Sequence, residues 1–367
     1  MLNELLAFQP QIVSALEKGV TDNTLPRALL FTGPEYSCRM STALALAKEL
    51  SLSTAQDTLI PSNTLIISSR DHKRRIRAVL ERLKEQDGED LRRQLGESVG
   101  IMLSQYHTAL ADAATPTVKK LFDAAGTTQD TLEDVLALPI QDKKLPSRLK
   151  ALEKNLAILD TAPSSSRILT IAQCREIQSW CRLTALDRQP KIAIIENIEA
   201  ATEGAKNSLL KLLETPPENA WFILISSQPG RILPTILSRV RHYQFSPLPA
   251  MTVQQILATR YALSSASQDS DVLRAAASLK AFFLFYGEKP ENRQKLTELR
   301  MDAEAFLSGI IVGPPLESSA ISMLAAKIED NDMVQFFFES LIQHLKDKSS
   351  GISLSGAQAL LLCIISL

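Results

Sequence analysis

The sequence predicts an α/β fold, a parallel sheet covered by helices and continued by purely helical segments. Three observations predict it. Short, almost wholly apolar runs such as Ala28–Thr32 and Lys191–Glu196 alternate with helical stretches, which is how strands buried on both faces read. The first of these runs enters Gly33-Pro34 and then a helix, a strand–turn–helix unit. After Pro247 and Pro249 no strand signal persists and the rest is helical.

Met1 to Gly19 carries apolar residues at helical spacing, namely Leu2, Leu5, Leu6, Ile12, Val13 and Leu16. The strand Ala28–Thr32 follows, then a helix through Ala43, Leu44, Leu46, Ala47 and Leu50, and a second strand at Thr64–Ser68. Arg70 to about Ser165 is helical and charge-laced and reads as an insertion into the sheet, with Pro163 to Ser166 as a loop. Its basic start, His72 to Arg77, is followed by Glu81, Glu85, Asp87, Glu89 and Asp90, so the mixed charge predicts a solvent-exposed helix or a protein contact. The αβ pattern resumes with a short strand or turn at Ile168–Ile171, a helix at Ala172–Leu186 and a strand at Lys191–Glu196. A helix at Glu203–Leu213, a strand at Trp221–Ser227, a short helix at Leu233–Arg239 and a last strand at His242–Phe245 complete it. Beyond the two prolines, Thr252–Tyr261 and Val272–Phe285 are helical, Glu288–Asn292 is a break, and helices continue to the end.

A chain of 367 residues is long enough for two or three domains. The formal net charge of −1 excludes a polyanion binder acting through overall charge, so any nucleic-acid contact is local or shared across an assembly. Met1 to Pro10 lacks the basic start of a signal peptide, and no apolar run spans a bilayer; Ala357–Leu367 reads as a buried helix. The expected location is cytoplasmic. Cys38, Cys174, Cys181 and Cys363 form no CxxC pair and read as buried thiols, so no zinc is expected. His107, His242 and His344 have no partner pattern and none reads as catalytic.

A phosphate-binding loop belongs where the first strand meets its helix. The working pattern G-x-x-x-x-G-K-[ST] uses glycines to let backbone N–H groups close round phosphate, a lysine to neutralise it and a hydroxyl for magnesium. Here the eight positions run Gly33, Pro34, Glu35, Tyr36, Ser37, Cys38, Arg39, Met40, and only the first glycine matches. Such ATPases also end a buried strand in Asp-Glu, for magnesium and for the attacking water. The strand here ends in Glu196-Asn197; Glu196 is able to meet a cation or cap the next helix, whereas Asn197 is no base.

The stretch from Lys191 to Leu248 resembles the core of the bacterial replicative clamp loaders, the gamma/tau and delta-prime AAA+ subunits of DNA polymerase III. The resemblance is carried by A-x-N-S-L-L-K-x-L-E-x-P-P from Ala205 to Pro217, by the sensor-1-like strand end at Ser226-Ser227-Gln228-Pro229, and by L-P-T-I-L-S-R from Leu233 to Arg239. It extends to Leu25–Pro34, to the helix Ile171–Trp180, and to Ala277–Ala281, a sensor-2-like segment with Lys280 where the family usually has arginine.

The resemblance implies an AAA+ P-loop-type domain over residues 1–247 with a helical insertion at about 71–165 in place of a zinc module. A helical lid at 248–288 and a helical collar-type domain at 289–367 would follow. It implies a non-hydrolysing, delta-prime-like subunit with no cofactor of its own, ATP and magnesium lying on a neighbour. Its partners would be gamma/tau-type ATPases, the delta subunit, the sliding clamp and, through the assembly, primer-template DNA, with no membrane. Ser238-Arg239 matches the family's Ser-Arg-Cys segment, which makes Arg239 a candidate arginine finger acting in trans. Lys206 and Lys211 lie where related helices track DNA, and they serve equally as a solvated helix face. Two other readings stand beside this one: a gamma/tau-type ATPase, against which Cys38, Arg39, Met40 and Asn197 argue, and an AAA+-fold scaffold outside replication.

Overall fold

The computed structural model describes residues 2–51, 59–70, 72–161, 168–182, 189–263, 278–312, and residues 333, 334, 336–338, 340 and 341. Among the described residues, five strands, β1 (Ala28–Thr32), β2 (Thr64–Ile67), β3 (Lys191–Glu196), β4 (Ala220–Ser226) and β5 (Arg241–Gln244), form one sheet in the order β2-β3-β4-β1-β5. Every pairing is parallel, with Leu30 opposite Leu224 and Ile67 opposite Ile195. This is the parallel α/β sheet, covered by helices on both faces, that the sequence predicts.

The alternation within each strand explains why the runs read as continuously apolar. Leu30, Leu65, Ile67, Ala193, Ile195, Phe222 and Leu224 point to one face, where they pack with Ile177 and Trp180 of α9 (Ile171–Arg182) and Leu209 and Leu212 of α10 (Glu203–Glu214). Leu29, Phe31, Ile66, Ile192, Ile194, Ile223 and Ile225 point to the other, against α1 (Leu2–Leu5), α2 (Pro10–Thr21) and α3 (Arg39–Leu50). Each fully buried Leu, Ile or Phe contributes on the order of 1.5–3 kcal/mol relative to exposure. Cys174 and Cys181 sit in the first of these cores, and burial pushes both thiols up to about 12.

The insertion is helical: α4 (Lys73–Glu85), α5 (Glu89–Leu103), α6 (Pro116–Lys119), α7 (Phe122–Ala137) and α8 (Leu145–Leu159). Arg92 of α5 ties it together. Its guanidinium meets Asp87 at 2.7 Å and donates to the carbonyls of Leu138 and, at 2.9 Å, Pro139. Short α11 (Pro234–Leu237) precedes β5, and α12 (Ala250–Arg260), α13 (Leu279–Tyr286) and α14 (Pro290–Val312) follow it.

Several expectations need adjustment. The first helical stretch is two helices, Ile168–Thr170 is the non-strand alternative, an irregular approach to α9, which begins at Ile171, and α14 starts at Pro290, inside the expected break. The loop expected at Pro163–Ser166, lid residues 264–277, Cys363, His344 and the helix expected at Ala357–Leu367 lie outside the described residues.

The chain divides into two compact units, residues 1–73 with 86–252, and residues 74–85 with 253–367. Most of α4 therefore packs with the helical unit, although it is encoded inside the sheet domain. Of the two alternatives that the mixed charge allows, α4 is not the solvent-exposed helix. Arg82 is 5% exposed, donating from Nε and Nη2 to the carbonyls of Tyr261 and Ala262 at 3.2 and 2.7 Å. Arg75 and Arg82 lie over the rings of Phe283 and Tyr286, cation–π contacts that hold the helix to α13.

Candidate functional site

The tips of β1, β2, β3 and β4 bring together the residues that the nucleotide pattern singles out. Parallel α/β sheets bind ligands at these carboxyl ends, so the placement follows from topology. β1 ends in Gly33, whose φ of +147° and close approach to β5 require glycine: an added Cβ would stand 2.6 Å from the Phe245 carbonyl oxygen. The loop then closes on itself. Ser37 Oγ donates to the Pro34 carbonyl at 2.8 Å, and Gln9 Nε2 donates to the Ser37 carbonyl at 3.3 Å. Cys38 caps α3 in the left-handed region at φ +67°, where a phosphate-binding loop places its second glycine.

Arg39, in the lysine position, turns inward. It is 5% exposed and donates to the Ser226 carbonyl at the tip of β4 and, at 3.1 Å, to the Pro34 carbonyl. Burial first, then the charge of Arg70, lowers its pKa, while Glu196, Glu199 and Glu35 raise it. Met40, in the hydroxyl position, belongs to the apolar core.

Glu196 is 3% exposed and accepts from Ser68 Oγ and from Arg70 Nη2, both at the end of β2. His72 Nε2 lies 2.9 Å from the same Ser68 hydroxyl. Burial by itself pushes the Glu196 carboxyl up. The charge of Arg70, then His72, the Ser68 hydroxyl and Arg39 more than offset this and hold it below the usual carboxylate range. Asn197, left-handed at φ +55°, donates to Ser69 Oγ at 2.8 Å. The sensor-like Ser227 donates to Glu199 Oε1 at 3.4 Å, while Glu199 Oε2 is buried without a hydrogen-bond partner.

These groups do not fit a magnesium nucleotide as they stand. The carboxylate that would face the cation is engaged by an arginine and a serine, Met40 offers no hydroxyl, and Arg39 is spent on backbone carbonyls. Arg70, Ser68 and Glu199 escaped the sequence reading. Their signal lies in strand order: Ile67 is opposite Ile195, so the residues after β2 stand beside Glu196, but only once β2 is known to adjoin β3.

Arg239 lies elsewhere, just after α11. Pro234 starts that helix, Ser238 caps its end, and the Arg239 N–H closes the turn onto the Ile236 carbonyl at 3.0 Å. Its side chain is exposed. Nη1 donates to the Thr235 carbonyl at 2.8 Å and to Ser238 Oγ at 3.0 Å, and Nε and Nη2 meet Glu214 Oε1 at 2.9 and 2.6 Å. Lys206 pairs with Glu203 at 2.8 Å on α10, and Lys211 is exposed one turn further along. Lys280 is half-buried at the start of α13, in the helical unit.

The chain matches known proteins over its central stretch. The family described as "DNA polymerase III, delta subunit" matches residues 135–249. The delta' subunit of DNA polymerase III from Bacillus subtilis is 37% identical over 86 residues, 23% of this chain and 26% of that one. The delta' subunit from Escherichia coli is 32% identical over 114 residues, 29% of this chain and 33% of that one. The gamma/tau subunit from Mycobacterium bovis is 34% identical over 84 residues, 23% of this chain and 14% of that one. The matches thus span a third or less of these relatives' lengths, and they bear out the resemblance to the clamp-loader AAA+ family. Among the described residues no helix is long and apolar enough to cross a membrane.

Proposed function

We propose that this relative of the DNA polymerase III delta' and gamma/tau subunits is a delta-prime-like clamp-loader subunit. It hydrolyses no ATP itself and supplies Arg239 in trans to a neighbour's ATP, helping to load the sliding clamp onto primed DNA. The observation that carries this reading is an asymmetry. At the strand tips Arg39 and Glu196 are buried and bound to groups inside the fold, whereas Arg239 stands at the surface, its guanidinium held only by the partly exposed Glu214 and by Thr235 and Ser238 of its own turn. A permanently charged planar fork suits phosphoryl-transfer charge, where such a group supplies roughly 10³–10⁵ in rate. Partners under this reading are gamma/tau-type ATPases, the delta subunit, the clamp and primer-template DNA; Lys211, and Lys206 once released from Glu203, would face the DNA backbone.

The test is co-purification with the gamma/tau-type ATPase of the same cell, followed by Arg239→Ala in the assembled complex. DNA-stimulated ATP turnover by the ATPase should fall by about 10³-fold or more; unchanged turnover removes the finger role. Magnesium-dependent ATP binding and turnover by the isolated chain would instead favour the gamma/tau-type reading.

A further inference from the structure

We infer that Glu214 is a positioning residue for Arg239, holding the guanidinium in the attitude from which it reaches a phosphoryl group. This inference rests on the trans-acting role of Arg239.

Glu214 is the last residue of α10, before Thr215 and the two prolines that end the helix. A carboxylate there opposes the helix macrodipole, whose negative end lies at the C-terminus. Intrinsic helix energetics therefore give no reason for an acid at this position, and a capping role is excluded because a carboxylate donates nothing to the orphan carbonyls. Its contact does supply a reason. One oxygen, Oε1, receives both Nε and Nη2 of Arg239, at 2.9 and 2.6 Å.

The opposite edge of the fork is fixed independently. Nη1 donates to the Thr235 carbonyl and to Ser238 Oγ, both on the α11 turn. Contacts from two helices thus define the guanidinium plane, one edge by α11 and the other by α10. Without Glu214 the α11 contacts remain, but the fork can pivot about Nη1. The Glu214 side chain is 48% exposed and that of Arg239 33% exposed, so the pair stands at the surface, where surface ion pairs add little stability. Its consequence is orientation rather than folding. A misplacement of about 1 Å in a catalytic group can cost about 10²-fold in rate.

The experiment uses the assembled complex with its ATPase neighbour and compares Glu214→Ala, Glu214→Gln and Arg239→Ala. Glu214→Ala should lower the neighbour's kcat by about 10- to 100-fold with KM for ATP little changed. Glu214→Gln, which keeps an acceptor oxygen in place, should recover most of that loss. A second readout is affinity of the complex for ADP with aluminium fluoride, a mimic of the transferring phosphoryl group. It should weaken in Glu214→Ala in step with kcat, while affinity for ATP does not. If Arg239→Ala is defective and Glu214→Ala behaves as wild type, the positioning role is overturned and the finger stands. If Arg239→Ala leaves both readouts unchanged, the finger role falls and this inference with it. Loss of co-purification in Glu214→Ala and not in Glu214→Gln would mark Glu214 as an assembly contact and overturn the positioning role too.

Discussion

Arg70 closes on Glu196 across adjacent strand ends, guanidinium on carboxylate, with Ser68 donating to the second carboxylate oxygen. A nearly fully buried carboxylate is costly unless its charge and lone pairs are met. Arg70→Ala should therefore destabilise the sheet unit by about 3 kcal/mol, read as a lowered urea midpoint at pH 7. The sign with pH follows from the depressed folded pKa. Glu196 contributes stability that is fully present above its unfolded value of about 4.3, and this is lost as pH falls through its lower folded value. In Arg70→Ala burial acts with less opposition and the carboxyl pKa rises. The gap between variant and wild type should then narrow as pH drops below about 4; a pH-independent gap would separate Arg70 from the Glu196 charge.

The strand runs, the strand–turn–helix unit at Gly33 and, among the described residues, the switch to helices after Pro249 were all legible in the sequence, because each rests on local pattern. What surrounds Glu196 was not. Arg70 sits at the head of what reads as a charged helical insertion, and nothing local shows that β2 lies beside β3 and not at the far edge. The same limit applies to α4, where burial of Arg82 depends on the Tyr261 and Ala262 carbonyls some 180 residues away, separations of 179 and 180. Long-range partners turn a charge pattern that reads as exposed into a buried one.

Arg82 leads to a second prediction. Arg82→Met keeps much of the apolar stem but leaves two carbonyls without their donor, and each buried unsatisfied acceptor costs about 1–3 kcal/mol. Limited proteolysis should show residues 253–312 cleaved faster in the variant, with the sheet unit as protected as before. Equal cleavage of both would mean that α4 does not stabilise the helical unit selectively.

Gly33 and Cys38 both have positive φ, and substitution should act in opposite directions at the two positions. Gly33→Ala puts a Cβ 2.6 Å from a backbone oxygen, which forces β5 to shift, and should cost about 1–3 kcal/mol. Cys38→Gly relieves a left-handed non-glycine residue and should be neutral or stabilising by up to about 1 kcal/mol. Thermal midpoints of the two variants against wild type decide it, and a stabilising Gly33→Ala would contradict the close approach of Phe245.

Restoring the P-loop letters should not restore the site. Cys38→Gly, Arg39→Lys and Met40→Thr together return the glycine, the lysine and the magnesium hydroxyl to their places. Glu196 would still be held by Arg70 and Ser68, and Asn197 would still offer no base. Calorimetric titration of the triple variant with ATP should therefore show little gain from added magnesium. Adding Arg70→Ala frees the carboxylate for the cation, and magnesium should then strengthen ATP binding, still without turnover. A triple variant that binds ATP tightly only with magnesium would show that the loop alone blocks the site and that the Arg70–Glu196 pair is incidental to it.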